Sequence, residues 1–204
     1  MKNKGLIVIY YGFGKGKTTA ALGVALRAAG RGINVKVLQF IKGDSRNKKK
    51  EGAVLWTSGE VLFTEFLSEK FGKTQNPKLK TQNLGQISIE PVGTGFIGIL
   101  GDKLPFAEHK KEAQRALRKA MEAIKSKKWQ VVVLDEILRA IGEKLITTKN
   151  VLDLIKLKSM DRHLILTGHR VPGSILAKAD LVTEMKKVKH PYDKGILAQV
   201  GIDF

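Results

Sequence analysis

The chain contains no cysteine, which excludes disulfides, thiolate nucleophiles and cysteine-ligated metal centres together. Aromatic residues are sparse at 6%, so no obvious platform exists on which bases could stack. No apolar run approaches the roughly 20 residues that a bilayer span requires, and no membrane insertion is expected. The apolar stretch Leu6–Ile9 is too short for a signal sequence and has no small-residue cleavage site after it. A cytoplasmic location is therefore expected. Acidic residues are few as well: 19 against 37 Lys and Arg, a formal net charge of +18. Such an excess favours polyanionic partners, whether triphosphates, carboxylated substrates, nucleic acid or an anionic membrane surface, and does not choose among them.

What is present is an alternation of apolar runs with helical patterns, the order of βαβ units. The expected fold class is α/β: a P-loop NTPase-like three-layer fold, with a mostly parallel central sheet flanked by helices, in one domain over 1–204. Leu6 to Tyr10 reads as a central strand buried on both faces. Ile33, Val35 and Val37 alternate with Asn34 and Lys36, which predicts a less buried second strand. Val131–Leu134 and Leu164–Leu166 read as further buried strands. Helices are predicted over Thr18–Arg31, from Pro105 onward with Ala113, Leu117, Met121 and Ile124 at helical spacing, and from Thr147 or Thr148 through Leu157. The stretch at about 44–95 carries the run Arg46-Asn47-Lys48-Lys49-Lys50, a short helical pattern at Glu60–Phe71 and a polar segment to Gln86. It reads as a long basic excursion from the core, of a length that is usually functional or disordered.

Chemistry concentrates after the first strand, in Gly12-Phe13-Gly14-Lys15-Gly16-Lys17-Thr18-Thr19. Glycines let the backbone curl and aim its N–H groups at phosphate oxygens, and the following helix presents its positive end to the same anion. Lys17 would reach the distal phosphates, and the Thr18 hydroxyl would ligate Mg2+ (or Mn2+). The strict phosphate-loop pattern opens with glycine one residue earlier, where this chain has Tyr11. A second signal is Asp135-Glu136, at the end of the apolar run Val131–Leu134. Ligands of open parallel sheets bind beyond the carboxyl ends of strands, where one carboxylate can hold a metal and the other can orient a ligand.

Taken with Gln39-Phe40-Ile41-Lys42-Gly43, Gly93-Thr94-Gly95-Phe96, Val133-Leu134-Asp135-Glu136 and the run from Ala179 through Lys189-His190-Pro191 to Phe204, the chain resembles the phosphate-loop ATP:corrinoid adenosyltransferases. The resemblance covers most of the chain outside 44–92. It implies that ATP and a reduced corrinoid are the substrates. Co(I) attacks the 5′-carbon of ATP, and triphosphate leaves. It implies Lys17, Glu136 and Phe96 as catalytic residues, and Thr18, Glu136 and Asp135 at the metal. For ATP it implies Gly12, Phe13, Gly14, Lys15, Gly16, Lys17, Thr18, Thr19, Arg27 and Arg170. Phe96 would pack against the lower corrin face and help remove the axial ligand, which eases reduction to Co(I). A homodimer and a reductase partner are implied too.

The chain departs from the family's pattern in the length of its 44–92 region, which is longer than usual, and at two motifs. Gly98 stands where better-known bacterial members carry tryptophan. The family's Thr-Gly-Arg is here Thr167-Gly168-His169-Arg170, so either Arg170 or His169 does the arginine's work. Lysines of the 44–92 region could attract corrin carboxylates. Two alternatives stay open: a nucleic-acid-dependent P-loop ATPase, which the charge suits, and a non-catalytic nucleotide or corrinoid binder.

Overall fold

The computed structural model describes residues 4–43, 58–72, 84–98 and 102–203. In chain order the elements are β1 (Ile7–Tyr11), α1 (Lys17–Ala29), β2 (Val35–Gly43), α2 (Gly59–Gly72), β3 (Ile87–Gly93), α3 (Phe106–Lys125), β4 (Val131–Asp135), α4 (Ile137–Gly142), α5 (Thr148–Leu157), β5 (His163–Gly168), α6 (Gly173–Leu176), β6 (Leu181–Glu184) and a 3₁₀ turn at Pro191–Lys194. The strands form one sheet in the order β3-β2-β4-β5-β1-β6. Every described pairing is parallel, so the expected α/β fold is observed.

Strand register explains the three layers. Val37, Val133, Ile165 and Val8 stand side by side across β2, β4, β5 and β1. They pack with Ala21 and Ala25 of α1 on one face of the sheet. Their neighbours one residue on, Leu38, Leu134 and Leu166, point to the other face, because side chains alternate along a strand. There they meet the buried stripe of α3 (Ala113, Ala116, Leu117, Ala120, Ile124) together with α4 and α5. Alanine on the buried face of α1 keeps that helix close to the sheet, so its start is fixed relative to the strand ends.

Three expectations change. β2 is fully internal: Val35, Val37, Leu38 and Gln39 are all at 0% exposure. Its lysine pattern misleads because the Lys36 stem runs along the sheet and its amine reaches Glu90 of β3 at 2.6 Å. Next, the stretch at about 44–95 does not all leave the core, since β3 pairs with β2 from Val35↔Ile87 onward. The helix expected near Glu60–Phe71 is α2, tied to the sheet through Glu60, which accepts from Gln39 at 3.0 Å and from Lys42 at 2.6 Å. The basic run at 46–50 lies outside the described residues. Last, Met121 sits on the exposed side of α3 at 38%, one position off the alanine stripe.

Candidate functional site

The loop between β1 and α1 lies where the sheet's carboxyl edge meets the segment after β6. Met185 donates its N–H to Tyr11 O and accepts from Gly14 N–H, both at 2.7 Å. This close pass explains the glycine at position 12. Gly12 has φ 115°, and a Cβ there would stand 2.4 Å from the Met185 carbonyl oxygen. Gly16, at φ 101°, precedes α1 without any side-chain cap. The first N–H groups of α1 are left for an anion. Lys17 is buried and donates to Gly14 O at 2.9 Å. Burial pulls its ammonium below the ordinary value, against the pull of Glu136 and Asp135.

Opposite the loop, Asp135 ends β4 and is 1% exposed. Its Oδ1 accepts from Thr18 at 2.8 Å and from Thr167 at 2.7 Å. β5 lies between β1 and β4, so Thr167 at its end bridges the two halves of the site. The same hydroxyl accepts the Glu136 N–H at 2.8 Å and so holds Glu136 in a left-handed conformation, φ 58°. Burial pushes the Asp135 carboxyl up, with the two threonine hydroxyls opposing it. Burial, then the charge of Asp135, pushes the Glu136 carboxyl up to about 7.

One oxygen of each acid, Asp135 Oδ2 and Glu136 Oε2, is buried without a partner. Together with the Thr18 hydroxyl these are the hard oxygen donors that suit Mg2+. Among the described residues no group of three or more His, Asp or Glu could hold an ion alone. A small divalent cation shared with a bound triphosphate fits the donors present.

Beside the loop lies a cleft of about 470 Å³, lined by Phe13, Arg139, Glu143, His169 and Arg170 among others. The Phe13 and His169 ring centroids are 5.3 Å apart, and the Arg170 guanidinium stands 5.4 Å from the Phe13 ring. Arg139 pairs with Glu143 at 2.7 Å and lies 4.8 Å from the Phe96 ring. Burial, then Arg139 and Lys17, lowers the His169 pKa to about 4, so the imidazole is neutral at ordinary pH.

The structure thus brings together the loop, Thr18, Asp135, Glu136, Phe13, Arg170 and Phe96. Arg27 does not join them. It is exposed in the last turn of α1, ten residues or about 15 Å along the helix from Lys17, where it complements the helix dipole. Thr19 is exposed on the first turn, and Lys15 forms an ion pair with Asp203. His169 and Arg170 both line the cleft. Thr167, Arg139 and Met185 escape sequence reasoning as site residues. Arg139 follows the acidic pair by three residues, the only hint a motif could offer, whereas Met185 acts through backbone atoms and leaves none.

A glycine loop before an uncapped helix, facing a strand-end carboxylate pair on a parallel sheet, defines a phosphate-loop nucleotide-binding protein. The chain belongs to the ATP:corrinoid adenosyltransferase family, whose model (BtuR/CobO/CobP) matches residues 3–204. It is 33% identical over 202 residues to a corrinoid adenosyltransferase of Sinorhizobium sp., covering 98% of this chain and 81% of that one. It is 30% identical over 208 residues to the corrinoid adenosyltransferase CobA of Salmonella typhimurium, covering 100% and 87%. Among solved structures, the flagellar accessory protein FlaH of Methanocaldococcus jannaschii aligns with a TM-score of 0.49 at 14% identity, covering 89% of this chain and 71% of that one. The chain is therefore an enzyme, an ATP:corrinoid adenosyltransferase. The relatives favour neither a nucleic-acid-dependent ATPase nor a silent binder.

Proposed function

We propose that the chain holds ATP with its triphosphate in the Gly12–Thr19 loop and its 5′-carbon turned toward the cleft, where the Co(I) of a reduced corrinoid attacks. The cobalt lone pair forms the cobalt–carbon bond. The C5′–O bond breaks, and its electron pair leaves on triphosphate. Charge grows on the leaving group, so groups that favour negative charge there lower the barrier. The observation that carries this reading is the uncapped start of α1 beside buried Lys17. On binding, the Lys17 amine exchanges the Gly14 carbonyl for a phosphate oxygen, and the loop N–H groups take the rest. Thr18, Glu136 and Asp135 would hold Mg2+ or Mn2+, which when bound neutralises phosphate charge. Neutral His169 can share a hydrogen bond in the cleft without adding charge. Arg139 and Arg170 give the cleft its positive side.

Phe96, whose ring lies 4.8 Å from the Arg139 guanidinium, is assigned to the lower corrin face. Gly98 takes the place of a second aromatic there. Its φ of 67° is one that bulky side chains rarely adopt. A cytoplasmic location, where ATP is available, and a reductase partner that supplies the electron taking the bound corrinoid from Co(II) to Co(I) belong to the same reading. So does a homodimer, supported by the edge strand β6, which leaves Leu181 and Val182 more than 40% exposed. Phosphorus NMR of the turnover mixture tests the chemistry: one triphosphate per adenosylcorrinoid is expected, and ADP with phosphate would contradict it.

A further inference from the structure

A hydrogen-bonded line of three side chains lies outside the phosphate site, at the base of the segment that carries Phe96. His109 comes from the first turn of α3 and is 2% exposed. Its Nδ1 lies 2.5 Å from the Thr94 hydroxyl. Its Nε2 lies 3.0 Å from Asp102 Oδ2. Asp102 also accepts the N–H of Gly98 at 2.9 Å and that of Leu104 at 3.1 Å. Burial works against its charge, but those N–H groups and the facing imidazole outweigh it and hold the carboxyl below the ordinary range. An ionised Asp102 accepts from Nε2–H, and with the imidazole neutral Nδ1 is the acceptor for the Thr94 hydroxyl.

One imidazole therefore ties two ends to α3, Thr94 before Phe96 and Asp102 after it in the chain. Between those ends Phe96 is 36% exposed and contacts Arg139, which lines the cleft. A hydroxyl, an imidazole and a carboxylate in line also occur in hydrolytic triads. Here Thr94 is buried, at 7% exposure, and takes a structural place in the line. The α3 stripe explains why the imidazole stays put: His109 precedes Ala113, Ala116 and Ala120 on one buried face.

We propose that His109 is a positioning residue for Phe96, fixing through Thr94 and Asp102 where the phenylalanine ring stands against Arg139. The proposal rests on the assignment of Phe96 to the corrinoid, and the test separates the two. Thr94→Val keeps the shape of the side chain and removes the donor, Asp102→Asn removes the charge, and Thr94→Ser keeps the hydroxyl. In the full-length protein, 4-fluorophenylalanine at position 96 reports ring position by fluorine NMR. Turnover is measured with MgATP from cob(II)alamin plus a reductant, and separately from fully reduced cob(I)alamin.

Thr94→Val and Asp102→Asn should move or broaden the fluorine signal. They should slow the reaction from cob(II)alamin about tenfold, the scale on which an orphaned buried partner is felt. The rate from cob(I)alamin should stay within about twofold, and Thr94→Ser should restore the parent behaviour. An unmoved fluorine signal overturns the tether. A moved signal with no change in either rate upholds the tether and overturns the role given to Phe96. Equal losses from both cobalt states would show a general structural role and overturn the proposal.

Discussion

Glu136→Gln should make the ligand-free protein more stable and the enzyme nearly inactive. The Glu136 carboxyl titrates at about 7 in the fold against 4.5 ordinarily. Its ionised form is thus disfavoured by folding. The penalty is absent below about pH 4.5, grows through the interval to about 7 and is complete above it. Its size, once both states are ionised, is on the order of 3 kcal/mol. Glutamine removes the charge but leaves a buried amide where Glu136 Oε2 already has no partner, which returns about 1–2 kcal/mol. The net gain at pH 8 is roughly 1–2 kcal/mol, or about 3–6 °C in Tm for a chain of this size.

Scanning calorimetry without nucleotide or metal, at pH 8 and at pH 5, measures it. The variant should melt higher at pH 8, and its advantage should shrink at pH 5. With saturating MgATP the order should reverse, because ligand stabilisation scales with affinity and the variant lacks one oxygen for the ion. Turnover should fall about 100-fold. A variant less stable than the parent at pH 8 without ligand, or an advantage equal at both pH values, would refute the reasoning.

Two further outcomes are expected. The His169 imidazole should titrate with a midpoint near 4 in a ligand-free NMR titration, and a midpoint above 6 would contradict the burial beside Arg139 and Lys17. Gly12→Ala should cost about 2 kcal/mol or more in urea denaturation, because its Cβ would meet the Met185 carbonyl at 2.4 Å with φ at 115°. A loss below about 0.5 kcal/mol would mean that Met185 does not form the floor of the loop.

The phosphate loop and the acidic pair were legible because their chemistry is written in side chains at fixed spacing after apolar runs. Buried strands β1, β4 and β5 were legible for the same reason. β2 reads as less buried because Asn34 and Lys36 alternate with its apolar residues, yet the Lys36 amine reaches Glu90 within the sheet. β3 was hidden because Ile87–Gly93 carries a proline and a glutamate, which an edge strand tolerates and a central one does not. Thr167 could be named but not given a role. Its part depends on β5 lying between β1 and β4, and strand order is not written in any local pattern. His109, Thr94 and Asp102 are invisible as a group for a related reason: each is an ordinary residue until the turn before α3 brings them into line.

The central claim is that the C5′–O bond of ATP breaks and that no phosphoryl group is transferred. ATP carrying oxygen-18 in the bridge between the 5′-carbon and the α-phosphorus tests it, with anaerobic cob(I)alamin as the acceptor. The whole label should leave in triphosphate while the adenosylcorrinoid carries none. Label retained on adenosine, with phosphate or diphosphate released, would mean cleavage at phosphorus and would contradict it.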